Sequence, residues 1–335
     1  MIGALAVEWM RLRQRRAVRL LALVALLGCL VVLGFAIANA VPPSAADMAA
    51  AQSQVDRQMA DPMFQQQLAD CRQAVASGGS DQWPADLDCD EAMTPRVEWF
   101  LNWSPPNFVD DFRHNLLAVT LILALAMALA GVTFAGADWS AGTIGTQLLY
   151  QPRRVRVFGS KAGALAAAGL LVGLIGAVLA WAVSYAVAAK WGTTALLDTR
   201  ISRDGSVTLT QLDITARALR AVAAVAGAAI GGYVLAMLFR SSLVAVAIIA
   251  GYGIVGEALI RGLFTGSEPY LLSSRILAWL QGPYQIARYP RSCGPGPCQP
   301  EITTVTVTAG GVYLAVLVAL GLAVAGLLFA RRDVS

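Results

Sequence analysis

The sequence predicts an all-α polytopic membrane protein. It has six transmembrane helices, an N-terminal amphipathic helix, an extracytoplasmic cap between spans 1 and 2, and a re-entrant or interfacial helix between spans 5 and 6. Three observations predict this class. The 335 residues are 57% hydrophobic, with a mean hydropathy of +0.61. Only 14% are charged, against roughly 25% in soluble domains. The apolar residues gather in runs near the ~20 residues that a helix needs to cross the hydrocarbon core. Residues 1–335 are read as a single transmembrane domain.

The chain opens on MIGALAVEWMRLRQRR. Ile2, Leu5, Trp9 and Leu12 recur at helical spacing, whereas Glu8, Arg11 and Arg15 gather on another side. Residues 1–16 therefore predict a helix lying in the headgroup layer, its polar face toward the cytoplasm. Span 1 is placed at 18–40. Its basic flank and Ala38-Asn39-Ala40 resemble a signal peptide, but the apolar run exceeds the usual ~7–15 residues of one.

Residues 41–113 form the cap. It is acidic through Asp81, Asp86, Asp88, Asp90, Glu91, Glu98, Asp110 and Asp111. A solvated surface explains these acids, as does attraction of a cation or a basic partner; none has calcium-loop spacing. Ala45 to Ala76 has helical composition with a break at Asp61-Pro62, and Gly78-Gly79 begins a looser section. Trp99, Phe100 and Trp103 suit the membrane interface.

The remaining spans are placed at 116–137, 162–188, 218–239, 243–264 and 311–329. Arg240-Ser241-Ser242 joins the fourth and fifth as a helical hairpin. Gly169, Gly173 and Gly176 in the third span, and Gly227 and Gly231 in the fourth, have the small-xxx-small spacing that lets helices approach closely. That approach is either packing within the chain or a dimer seam. Glu268–Tyr289, EPYLLSSRILAWLQGPYQIARY, is apolar but too short and broken to cross, so it predicts the re-entrant or interfacial helix. Glu257, inside the fifth span, is costly in lipid. Arg261, one turn onward, offers it a structural partner; a proton or substrate site is the other reading.

Sidedness follows from charge and cysteine together. Net charge is +4, and Lys161 and Lys190 are the only lysines. The preference for Arg, with abundant Ala, Val and Gly, suggests a GC-rich genome and hence a bacterial plasma membrane. The Arg-rich start, the stretch Arg153, Arg154, Arg156 and Lys161, and Arg331-Arg332 place both termini in the cytoplasm. Lys190, Arg200, Arg203, Arg217 and Arg220 oppose this, so basic residues alone leave the matter open. Cys71 and Cys89 lie in the first long connection and Cys293 and Cys298 in the fifth. Odd-numbered connections share a side, and paired cysteines suit an oxidising compartment. Disulfides Cys71–Cys89 and Cys293–Cys298 are inferred from proximity; free or metal-bound thiols are the alternative. Cys29 reads as inert packing. Basic residues scattered over loops, with no basic face, exclude a nucleic-acid partner.

The connection at 138–161 is longer than a bare loop needs. It belongs to GADWSAGTIGTQLLYQPRRVRVFGSK. Asp138 or Ser140 can cap a short helix, and Pro152 ends it. Ile144 and Leu148 share one face, with Leu149 nearby, and prefer a protein groove to water. Arg153 and Arg154 can hold anionic lipid or acidic protein groups. A plain loop that snorkels its arginines is the alternative.

These residues resemble the inner connection of ABC-2 type transporter permeases: Asp138, Gly142-Thr143, the apolar Ile144–Tyr150, Pro152-Arg153-Arg154 and Lys161. Glu8-Trp9-Met10-Arg11-Leu12-Arg13 is similar to the family's leading amphipathic helix. The outer connections also fit, so the resemblance covers nearly the whole chain. Asp138 departs from it, since Glu is the commoner acid there, and the cap is larger than in many members.

The resemblance implies a permease subunit of an exporter. Two ABC ATPase subunits, carrying ATP and Mg, would bind beneath a pair of permease chains, either identical or related. The coupling contacts would be Glu8, Arg11, Asp138, Gly142, Thr143, Ile144, Leu148, Arg153 and Arg154. Thr120, Met127, Tyr252 and Glu257 would line the path of an amphipathic drug, lipid or peptide. The chain lacks G-x-x-x-x-G-K-[ST], H-E-x-x-H and G-x-S-x-G. It is therefore expected to be non-catalytic, with no cofactor or metal of its own and with lipid as its other partner. A membrane-anchored sensor or assembly protein with an acidic binding cap is the alternative function. A polytopic membrane enzyme is a third.

Overall fold

The computed structural model describes residues 2–79, 83–101, 103–202, 205–208, 210–264, 266–288 and 300–331. Helix α1 (Ile2–Gln14) leads into α2 (Arg16–Ala40), the first of six helices long and apolar enough to cross a membrane. The cap follows as α3 (Ala45–Met59), α4 (Pro62–Ala76), α5 (Cys89–Met93) and α6 (Val97–Phe100). Then come α7 (Phe108–Ser140), the short α8 (Thr143–Tyr150) and α9 (Arg154–Trp191). Strands β1 (Leu197–Ser202) and β2 (Gly205–Thr208) lead to α10 (Gln211–Phe239). The fifth long helix joins α11 (Ser242–Gly251), a π-helical turn (Tyr252–Gly256) and α12 (Glu257–Leu263). Helix α13 (Leu272–Gln281), β3 (Tyr284–Arg288), β4 (Glu301–Val305) and α14 (Val307–Arg331) complete the chain.

Helices α7, α9 and α10 form the centre of the bundle. Small residues set their spacing. A Cβ at Gly131 of α7 would stand 2.2 Å from the Ala229 carbonyl oxygen of α10, and one at Gly232 would stand 1.9 Å from that of Ala128. Gly169 and Gly173 of α9 press on Ala226 and Val222 of α10, while Gly176 faces Leu123 and Val119 of α7. The third-span glycines thus serve contacts within the chain. The fourth-span expectation needs correction: Gly231 has open space beside it, Gly227 meets only the Val318 side chain of α14 at an ordinary 3.9 Å, and the close contact belongs to Gly232. One residue rotates the contact by about 100° around the helix.

Helix α2 packs on α7, and α14 packs on α10 and α13. The outward faces of α2, α9, α11–α12 and α14 remain apolar, with Leu23, Leu30, Leu174, Ile254 and Leu320 exposed. That is the surface a membrane helix offers to lipid. Inside, the Asn115 side-chain amide donates to Ser184 Oγ across α7 and α9 at 2.9 Å. The Arg240-Ser241-Ser242 turn forms the expected hairpin, with Arg240 in the left-handed region at φ 52° and Ser241 capping α11.

The cap breaks at Asp61-Pro62 as expected. Asp61 accepts from the Met63 amide, and Pro62 occupies the first helical position, where no N–H is needed. Cys71 and Cys89 are disulfide-bonded, surrounded by Phe64, Leu68, Trp83, Leu87 and Met93. Trp103 Nε1 donates to the Ala40 carbonyl, tying the returning chain to the end of α2. Cys293 and Cys298, like Asp81, Arg203 and Arg332, lie outside the described residues.

Three further expectations change. The chain is not wholly helical: β1–β2 and β3–β4 are small antiparallel strand pairs, the first beside α7 and the second beside α13. The helix expected over residues 268–289 is realised as a 3-10 turn at Glu268–Tyr270 and as α13 at Leu272–Gln281; Gly282, at φ 113°, stops it and Tyr284–Arg288 pairs as a strand. The pair expected between Glu257 and Arg261 does not form. Arg261 instead reaches Glu268 at 3.3 Å, and Glu257 accepts from the Ser273 amide at 2.9 Å.

Candidate functional site

At the end of the bundle opposite the cap, α1 lies against α9, and α8 folds back beneath α7. The fold-back depends on Gly142, which takes a left-handed conformation at φ 64° and precedes the first residue of α8. Any side chain there would be strained, although the space beside it is open. The Thr143 hydroxyl donates to the Asp138 carbonyl at 3.3 Å and closes the turn. Asp138 and Ser140 still belong to α7 and do not cap α8, contrary to expectation: Gly142 holds the cap position without a side-chain bond.

Asp138 is engaged elsewhere. Lys161 Nζ, 2% exposed, donates to Asp138 Oδ2 at 2.5 Å and to Glu8 Oε2 at 3.2 Å. Arg15 binds the other oxygen of Asp138 and donates to the Thr133 carbonyl at 3.1 Å. Glu8 Oε1 accepts from Gln147 Nε2 at 2.7 Å and from Arg11 at 3.2 Å. Both inner cations lie by the Phe134 ring, whose centre is 4.9 Å from the Arg15 guanidinium and 5.0 Å from the Lys161 ammonium. Burying a charge is costly unless it is paired; here two carboxylates face three cations, and each carboxylate has several donors. The network stitches α1, α7, α8 and α9 into one unit.

An aromatic layer lies beside it. Tyr233 of α10 is buried and donates to the Phe158 carbonyl at 3.1 Å. Phe158 and Trp139 both meet Phe329 of α14, and Arg240 stacks on Trp139 at 4.8 Å. The ends of four long helices meet here.

Between α1 and α8 opens a cleft of about 360 Å³, lined by Val7, Glu8, Arg11, Gln147, Tyr150 and Ser160 among others. Two expectations about this end of the bundle are reversed. Glu8, expected on a water-facing side of α1, is 2% exposed and turned into the bundle. Ile144 and Leu148, expected to seat in the groove of another protein, face this chain's own core: Ile144 is 2% exposed and Leu148 packs against the same core. The residues of α8 that project are Leu149, 82% exposed, and Tyr150, 89% exposed, with Val155 beyond them. Gly142 and Thr143 are exposed at the turn. Arg153 precedes α9 and is exposed, and Arg154 opens that helix.

The other expected site residues lie apart from this cluster. Thr120 and Met127 are buried in the bundle core, the Thr120 hydroxyl donating to the Leu116 carbonyl. Tyr252 and Glu257 stand near the start of α13. Sequence reasoning missed the partnership of Glu8 with Lys161 and Gln147, which lie 153 and 139 positions away. The available signal was a lysine placed at the start of an apolar run, which needs a buried acid somewhere. Comparison with models of protein families, with curated proteins and with solved structures finds no match.

Proposed function

We propose that the chain is the permease subunit of an ATP-driven exporter of the ABC-2 type, and that the α1–α8 end is where a separate ATPase subunit docks. One observation carries this reading: the only short helix at that end, among the described residues, is pinned by a buried charge network yet turns Leu149 and Tyr150 outward beside a cleft. An exposed apolar pair on a rigid base is the form of a binding hot spot. Force applied to α8 would pass through Gln147–Glu8 and Glu8–Lys161 to α1 and α9.

The termini-inside orientation is supported by both ends of the molecule. The α1–α8 end exposes arginines, including Arg11, Arg13 and Arg153, while its acids Glu8 and Asp138 are buried and paired. The opposite end carries the Cys71–Cys89 disulfide, which suits an oxidising exterior. Nucleotide chemistry, with ATP and Mg, falls to the partner, two copies of which would serve two permease chains. ATP must then favour one transporter state over the other. The uncovered apolar faces of α2, α11–α12 and α14 leave room for the second permease chain and for lipid. The cargo class is an amphipathic drug, lipid or peptide.

The cap, with its own small core and disulfide, favours the second reading, a membrane-anchored sensor or assembly protein. Purification of the tagged full chain after gentle extraction separates the two. Retention of an ATPase that is lost with Leu149→Asp or Tyr150→Asp supports the exporter. An ATPase never retained, with a partner bound through the cap instead, rejects it.

A further inference from the structure

Helix α13 begins without a cap of its own. Its cap position is Leu271, which has no side chain able to accept from the first N–H groups. Those donors are met from another helix. Glu257 Oε1 accepts from the Ser273 amide at 2.9 Å, and the Leu272 amide points to the Tyr252 hydroxyl at 3.5 Å. A carboxylate at this place satisfies an orphan donor and faces the positive end of the helix dipole.

The π-helical turn explains how one span supplies both groups. Tyr252 and Glu257 are its first residue and the residue just after it. In an uninterrupted α-helix, positions five apart point about 140° away from each other. A turn closed by i→i+5 bonds is wider and brings such positions over one another. The extra residue therefore aims both side chains at α13.

The rest of α13 is held by different spans. Arg220 of α10 donates to the Trp279 carbonyl, and Trp279 Nε1 donates to the Arg220 carbonyl, each at 3.1 Å. Gly310 and Gly311 of α14 press on the Arg275 carbonyl and the Trp279 ring. The fifth span reaches the helix through side chains, while the fourth and sixth grip it closely.

We propose that Glu257, aimed by the π turn, is a clamp that fixes the start of α13 to the fifth span. A rotation or tilt of that span is thereby handed to α13, and through it to spans four and six. The clamp does not depend on what the protein transports.

Hydrogen exchange on the full chain in lipid nanodiscs, resolved to single amides, tests the clamp. Glu257→Ala should speed exchange at Ser273 about tenfold, as expected for loss of a charge-assisted bond, and leave Ala278 to Gln281 unchanged. Glu257→Gln keeps the shape and an acceptor, and should give about a threefold rise; it decides the matter if the alanine variant does not fold. Deleting Gly253 returns the span to α-helical register and should reproduce the Glu257→Ala pattern. Spin labels at Leu259 and Gln281 should give one narrow distance in the parent protein and a broad one in Glu257→Ala. Unchanged exchange at Ser273, a rise spread evenly along α13, or an unaltered label distance would overturn the proposal.

Discussion

Lys161 Nζ stands 2.5 Å from Asp138 Oδ2, an ion pair between the start of α9 and the end of α7 with both partners buried. Removing the cation leaves Asp138 and Glu8 with less compensation in a place water does not reach. Breaking a buried pair from one side costs about 3–5 kcal/mol. Lys161→Met is therefore expected to lower thermal stability strongly. Adding Glu8→Gln should restore part of the loss, since it removes one of the two buried negative charges while keeping an oxygen that can accept from Gln147. Melting of the purified variants in nanodiscs checks both; equal melting of Lys161→Met and the parent would remove the network from any structural role.

The orientation of α8 separates the proposed docking from folding. Leu149→Asp and Tyr150→Asp change exposed positions and should alter stability by no more than about 0.5 kcal/mol. Ile144→Asp puts an unpaired charge into the core and should prevent normal assembly. If Ile144→Asp inserts and melts like the parent, α8 does not bury that face against the bundle.

Glycine contacts in the fourth span differ at adjacent positions. Gly232→Val forces a side chain onto the Ala128 carbonyl and should cost at least about 2 kcal/mol. Gly231→Ala meets open space and should be neutral or stabilising by up to about 1 kcal/mol. The contrast is read from thermal melts of the two variants, and reversal of their order would falsify the helix rotation.

The cap should depend on its disulfide. Cys71 and Cys89 are 18 positions apart, and closing a loop of that length stabilises by about 3 kcal/mol. Cys71→Ser with Cys89→Ser should make residues 62–93 sensitive to protease while the membrane helices stay protected. Intact-mass analysis before and after reduction reports whether Cys293 and Cys298 are also joined.

Much of the fold was legible because its signals are local. Long apolar runs marked the spans, Asp61-Pro62 marked a helix start, and Arg240-Ser241-Ser242 marked a hairpin. The site was less legible because its decisive relations are distant or rotational. Glu8 finds Lys161 across 153 positions, which no spacing rule reaches. Ile144 and Leu149 are both apolar, and only the direction in which α8 folds back decides which is hidden. Glu257 was marked as costly, but its nearest cation by sequence was the wrong partner, because the π turn and α13 offered backbone donors that periodicity does not reveal. Gly231 and Gly232 show the same limit at a scale of one residue.

The fifth long helix touches its own chain chiefly at its two extremities. Near one, Ser242 lies so close to Gly136 that no Cβ fits there; near the other, Glu257 holds Ser273. Only 6% of its most apolar window is buried. It has the form of a strut fixed near both ends with a largely uncovered apolar middle, so where that face meets lipid, bilayer thickness would load its two pins. A helix of that build would respond to lipid chain length as a mechanical variable, bowing or straightening as the membrane around it thins or thickens.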